Sequence, residues 1–189
     1  MTSEATILEK DINRQIGSKV AYLLEKHGYE VVFTRSEDET ISLGERTSYA
    51  NQKRADIFFS LHANSGPAAI TGIEIFYFDP ALLKNELEYI DPKTKNSMIK
   101  IASQWHVMSK KLAEEVQGAV LQRTHATNRL VKKGVIQVLL GFQGPAALIE
   151  VGYLTNHRER ALLCSEIYQE KVAEGIYEGI KMFVDKHFA

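Results

Sequence analysis

The chain has 189 residues, 44% hydrophobic and 25% charged, with 23 basic against 24 acidic side chains and a formal net charge of −1. That length suits one filled core and is short for two, so a single domain over residues 1–189 is expected. The balanced charge argues against a phosphate-tracking nucleic-acid binder, the lack of an apolar run near the ~20 residues of a bilayer span argues against a membrane protein, and the one cysteine, Cys164, excludes an internal disulfide framework. Residues 1–10 lack the basic-then-apolar layout of a signal peptide, so a soluble monomer is expected.

Along the chain, Ile12, Ile16, Val20, Leu23 and Leu24 fall near helical spacing and predict an amphipathic helix over 9–27, stopped at Gly28. Residues 29–34 are short and rich in β-formers and predict a strand. Ser42 and Glu45 have the spacing of a capping box and open a second helix running to about 54. Strands are expected at 56–61, closed by a polar turn at 62–66, and at 72–78. Residues 79–97 are polar, carry Pro80 and Pro92, and are longer than the usual connection, so they are expected to form an insertion. A long helix over 98–122, strands at 135–140 and 146–151, and a final helix over 166–187 complete the pattern. Strands separated by amphipathic helices predict an α/β fold, a mixed, mostly parallel twisted sheet with helices on both faces.

In such sheets, sites gather at strand ends. Glu9 stands at the start of the first helix, His62 just after one strand and Glu150 near the end of another. Each has a structural alternative: Glu9 lies three residues after Thr6, the spacing of a capping box, and a lone His62 can simply bond to loop backbone. Glu150 is harder to place structurally. Its neighbours Ala147, Leu148, Ile149, Val151 and Gly152 are apolar or glycine, and a carboxylate buried there is costly unless paired or ligated.

Five segments in order carry a family resemblance: Leu8-Glu9-Lys10-Asp11-Ile12-Asn13; Val32-Phe33-Thr34-Arg35; Leu43-Gly44-Glu45-Arg46-Thr47 with Ala50-Asn51; the strand ending in Ser60-Leu61-His62-Ala63-Asn64-Ser65; and Glu150-Val151-Gly152-Tyr153-Leu154-Thr155-Asn156. Through them the chain resembles the zinc-dependent N-acetylmuramoyl-L-alanine amidases of the Amidase_3 type, which are peptidoglycan hydrolases. The resemblance implies that Glu9 and His62 are zinc ligands and that Glu150 is the catalytic glutamate. It further implies hydrolysis of the amide between N-acetylmuramic acid and the L-alanine of the stem peptide, in cell-wall remodelling or daughter-cell separation. Periplasmic or extracellular placement, peptidoglycan as partner and an activating protein belong to the same implication.

The pattern departs at its start. The family opens with a strand and a His-Gly-Gly loop carrying the first zinc ligand, and residues 1–8 contain no histidine, so that strand and ligand are expected to be missing. His27, His106, His125, His157 and His187 match no ligand position. With two protein ligands, zinc is expected to bind weakly, and Glu9 facing Glu150 without a cation is expected to raise a carboxyl pKa. The alternative function is a metal-deficient, non-catalytic peptidoglycan-binding or regulatory module. Residues 81–88 can make two helical turns that place Glu86 or Glu88 as a plug over the site, against the alternative of a solvated connector.

Overall fold

A computed structural model describes residues 8–84 and 91–188. Helix α1 (Glu9–Lys26) buries Ile12, Ile16, Ala21 and Leu24 on one stripe. Helix α2 (Leu43–Gln52) starts as its sequence predicts: Ser42 Oγ accepts from Glu45 N while the Glu45 carboxylate accepts from Ser42 N. Strands β1 (Phe58–Asn64), β2 (Ile73–Phe78), β3 (Asn128–Gly134) and β4 (Ala146–Tyr153) form one sheet in the order β1-β4-β2-β3. The β1/β4 and β2/β3 pairs are parallel and the β2/β4 pair is antiparallel, so the sheet is mixed and mostly parallel, as expected.

Central β4 is buried almost throughout because helices cover both faces of the sheet. On one face, Ala63, Ile75, Tyr77, Ala147, Ile149 and Val151 pack against α1, the long helix α3 (Pro92–Thr124) and α5 (Glu166–His187). The α3/α5 crossing is close. A Cβ added at Gly175 or Gly179 would stand 2.5 Å from Val120 Cα or 2.4 Å from Val116 Cα, so only glycine lets the two backbones approach this far. On the other face, Phe58, Phe78, Ala146 and Leu148 pack against Ala50 of α2 and against Val138, Leu139 and Phe142. That second apolar cluster ends short of the carboxyl ends of β1 and β4, where the face turns polar.

Several boundaries differ from expectation. Residues 29–34 contain no strand: backbone that finds no ladder partner does not become one, whatever its β-propensity, and Val32 and Phe33 are left exposed. The apolar run at 135–140 forms a 3₁₀ turn at Gln137–Leu139, and the strand lies one segment earlier, in the polar Asn128–Gly134. β1 continues through His62, Ala63 and Asn64 instead of turning at His62. Helix α3 starts at Pro92, with Asp91 accepting from Lys93 N and Thr94 N, so its first turns lie inside the stretch expected to be an insertion. Within the expected insertion, Pro80–Lys84 is a 3₁₀ turn. Glu86 and Glu88 lie outside the described residues. Helix α4 (His157–Leu163), capped by the Asn156 side chain, was not anticipated.

Candidate active site

Register brings the sequence candidates together. In the β1/β4 pair His62 stands opposite Glu150, at the carboxyl ends of both strands. The N-terminus of α1 reaches the same place, and its acceptor is Glu9 rather than a capping group: Leu8 is the N-cap and makes no side-chain cap bond. Glu9 Oε1 lies 2.8 Å from His62 Nδ1 and accepts from Asn13 Nδ2 at 3.1 Å and Ala63 N at 3.3 Å. The hydrogen bond from His62 is the main reason that the Glu9 carboxyl is held below the usual range, outweighing its half-burial.

Glu150 is the opposite case. Burial pushes its pKa up to about 7; the charge of His62 works against this, while Glu9 and Glu74 add to it. Its Oε2 is buried and has no hydrogen-bond partner. Of the two carboxyls expected to compete, the raised pKa therefore falls on Glu150. The Glu-Val-Gly segment also has a local reason. Gly152 has φ 145, a conformation that side chains rarely adopt, and a Cβ there would meet Glu159 Oε2 at 3.3 Å. Glu159 in turn accepts from Gly72 N and Tyr153 N, tying the end of β4 to the start of β2.

Glu74 is the residue that sequence reasoning missed. It stands directly opposite Glu150 in the β2/β4 pair and is buried. Its Oε1 accepts from Asn64 Nδ2 at 2.9 Å and Tyr153 Oη at 2.8 Å, and its Oε2 from Arg129 Nε at 3.3 Å and from Lys132 Nζ. Burial would raise its pKa, but the Lys132 and Tyr153 hydrogen bonds and the charges of Lys132 and Arg129 prevail and hold it low. Glu74 thus locks the His-Ala-Asn segment of β1, Tyr153 of β4 and two cations of β3 to one carboxylate. The one available signal was register: an acid at 74 in an otherwise apolar strand sits on the same face as Glu150 only if β2 pairs with β4.

The donor chemistry around Glu9 and His62, a carboxylate beside an imidazole, suits zinc, and Glu150 with its orphaned oxygen lies within electrostatic reach of both. Among the described residues no group of three or more His, Cys, Asp or Glu forms a metal-binding cluster. The other five histidines lie elsewhere: His27 Nδ1 bonds to Leu23 O, His106 Nδ1 to Ser103 O, His125 caps α3, His157 opens α4 and His187 ends α5.

A carboxylate–imidazole pair beside an unpartnered, half-buried carboxyl, at the carboxyl ends of two parallel strands, defines an α/β domain with a site suited to acid–base or metal chemistry. Comparison makes the class specific. The family model for N-acetylmuramoyl-L-alanine amidase matches residues 1–182, and the chain belongs to that family. YqiI of Bacillus subtilis, an uncharacterized protein, is 31% identical over 180 residues, which are 95% of this chain and 76% of that protein. The crystal structure of an N-acetylmuramoyl-L-alanine amidase from Clostridium difficile 630 superposes with a TM-score of 0.79 at 31% identity, covering 98% of this chain and 88% of that one. The CwlD amidase of Clostridioides difficile, solved in complex with the GerS lipoprotein, gives 0.77 at 27% identity, with 98% and 91% covered. Family membership supports peptidoglycan amidase activity for this chain. No described helix is long and apolar enough to cross a membrane.

Proposed function

We propose that the chain hydrolyses the amide joining the lactyl group of N-acetylmuramic acid to the L-alanine of the stem peptide, with Glu150 as general base and Glu9 and His62 as the residues that hold zinc. The observation that carries this reading is the buried, unpartnered Oε2 of Glu150, one strand away from the Glu9–His62 pair. A buried carboxylate oxygen with no donor to it is a poor structural element and a good proton acceptor. The ion, when bound, supplies Lewis acidity toward the scissile carbonyl and acidifies water.

Glu150 takes a proton from the attacking water as its oxygen bonds to the carbonyl carbon. The same proton passes to the alanine nitrogen as the carbon–nitrogen bond breaks, so Glu150 ends as it began. Without the ion, burial pushes the Glu150 carboxyl up to about 7, so it can take and give a proton near neutral pH. Asn13 and the Ala63 amide orient Glu9, so that its Oε1 is fixed toward His62. Placement in the cell envelope, with peptidoglycan as substrate and a protein partner as activator, belongs to the same proposal.

The test is digestion of purified peptidoglycan with zinc added, read by mass spectrometry and by labelling of new amino termini. Release of stem peptides beginning with free L-alanine is expected. Sedimentation with peptidoglycan without peptide release would favour the non-catalytic binding module instead.

A further inference from the structure

The sheet face that carries His62 and Glu150 continues past Glu74 into a pair of cations that the proposed hydrolysis does not use. Arg129 and Lys132 are three residues apart, and in a regular strand an odd separation puts side chains on opposite faces. β3 is not regular here. Its register moves from Ile73↔Asn128 to Ile75↔Val131, so two steps along β2 match three along β3, and the surplus residue Leu130 takes φ 70. This bulge turns Arg129 to the face of Lys132, and both reach Glu74. Bulges that re-aim side chains in this way are common beside active sites.

The cluster is built from the inside outward. Glu74 is buried, whereas the Arg129 and Lys132 side chains are 30% and 37% exposed, so the anion lies beneath and the cations stand on the open side. Two cations share the Glu74 carboxylate, and Glu159 is a further negative charge in the field of Arg129. Arg129 also lies over the Tyr153 ring, 5.3 Å from its centroid, and Tyr153 itself donates to Glu74, which restrains the guanidinium plane. Nε is the Arg129 nitrogen that donates to Glu74, and guanidinium carries five N–H donors in all.

We propose that Arg129, aided by Lys132, forms a subsite for the free carboxylate on the second residue of the stem peptide. The inference rests on the amidase reading, which places the alanine nitrogen at Glu150. In a stem peptide whose second residue is a D-glutamate joined onward through its γ-carboxyl, an α-carboxylate stands one residue beyond the scissile amide. Both cations reach Glu74, which stands on the strand next to Glu150, roughly 5 Å away, and an extended peptide covers about 3.5 Å per residue, so a carboxylate one residue beyond the scissile amide comes within their reach. A planar fork recognises a carboxylate through two parallel hydrogen bonds, and it discriminates against the α-amide of the same residue, which presents donors and no charge.

The test is calorimetric titration of the chain with the tripeptide L-Ala-γ-D-Glu-L-Lys and with its α-amidated D-isoglutamine counterpart, both amidated at the C-terminus so that the second-residue carboxylate is the only difference. The acid peptide is expected to bind about 10-fold more tightly. Arg129→Gln is expected to bring the two affinities together, Arg129→Lys to keep part of the preference, and Lys132→Gln to reduce it less than Arg129→Gln does. Equal affinities in the unaltered chain, no binding of either peptide, or an undiminished preference in Arg129→Gln would overturn the subsite. The comparison in the unaltered chain needs no variant, so misfolding of Arg129→Gln leaves the proposal exposed to refutation. Peptidoglycan digestion separates the two readings: selective binding without peptide release refutes the amidase and keeps the subsite, and release without a preference for the acid does the reverse.

Discussion

Replacing Glu74 by glutamine removes the charge that holds three strands to one side chain and keeps its volume. Each Glu74 oxygen accepts from two donors, and the amide nitrogen of glutamine must then face either the pair Tyr153 and Asn64 or the pair Arg129 and Lys132. Hydrogen bonds to charged groups are worth about 1.5–3 kcal/mol, but Arg129 and Lys132 are about one-third exposed and can turn to water, so their share is discounted to below ~1 kcal/mol each. The bonds from buried Tyr153 and from Asn64 weaken by about half when the acceptor becomes neutral. The sum is about 2–3 kcal/mol at neutral pH, or roughly 4–12 °C in Tm for a chain of this size. The pH dependence follows from the lowered pKa of Glu74. A carboxyl depressed in the folded state contributes stability above its unfolded pKa and loses it as pH falls through the folded value. The gap between Glu74→Gln and the unaltered chain should therefore be full at pH 7 and close as pH drops below about 4. Circular-dichroism melts of both proteins between pH 3 and 7 measure it, and a gap that is absent at pH 7 or constant across the range would refute the reasoning.

Other outcomes follow from single features. Glu150→Gln should fold normally and lose on the order of 10²- to 10⁴-fold in peptidoglycan hydrolysis with zinc present, and near-normal turnover would remove Glu150 from the chemistry. Gly179→Ala pushes a Cβ to 2.4 Å from Val116 Cα. Overpacking at about 1–3 kcal/mol should exceed the ~1 kcal/mol helical advantage of alanine, so Tm should fall, and an unchanged or higher Tm would mean that α3 and α5 separate easily. Leu130→Gly relieves a left-handed leucine that is 64% exposed, and urea titration should show a gain of about 0.5–1 kcal/mol after the entropy of glycine is deducted, while a loss would mean that the bulge is not strained.

Where a signal is local, the sequence by itself determined the outcome. The Ser42–Glu45 capping box, the apolar stripe of α1 with Ile12, Ile16 and Leu24 buried, and the apolar neighbours that single out Glu150 all act within a few residues. Pairing is not local. Residues 29–34 have β-propensity without a ladder and form no strand, whereas the polar Asn128–Gly134 becomes an edge strand because β2 offers it a hydrogen-bonding partner. Glu74 illustrates the same limit at the site. One acid in a strand reads as a solvent-facing position, and only the order β1-β4-β2-β3 sets it opposite Glu150, buries it, and brings Arg129 and Lys132 to it from more than fifty residues away. Burial and register belong to the assembled sheet, because a strand's neighbours, not its own residues, decide which face meets water and which charge meets which.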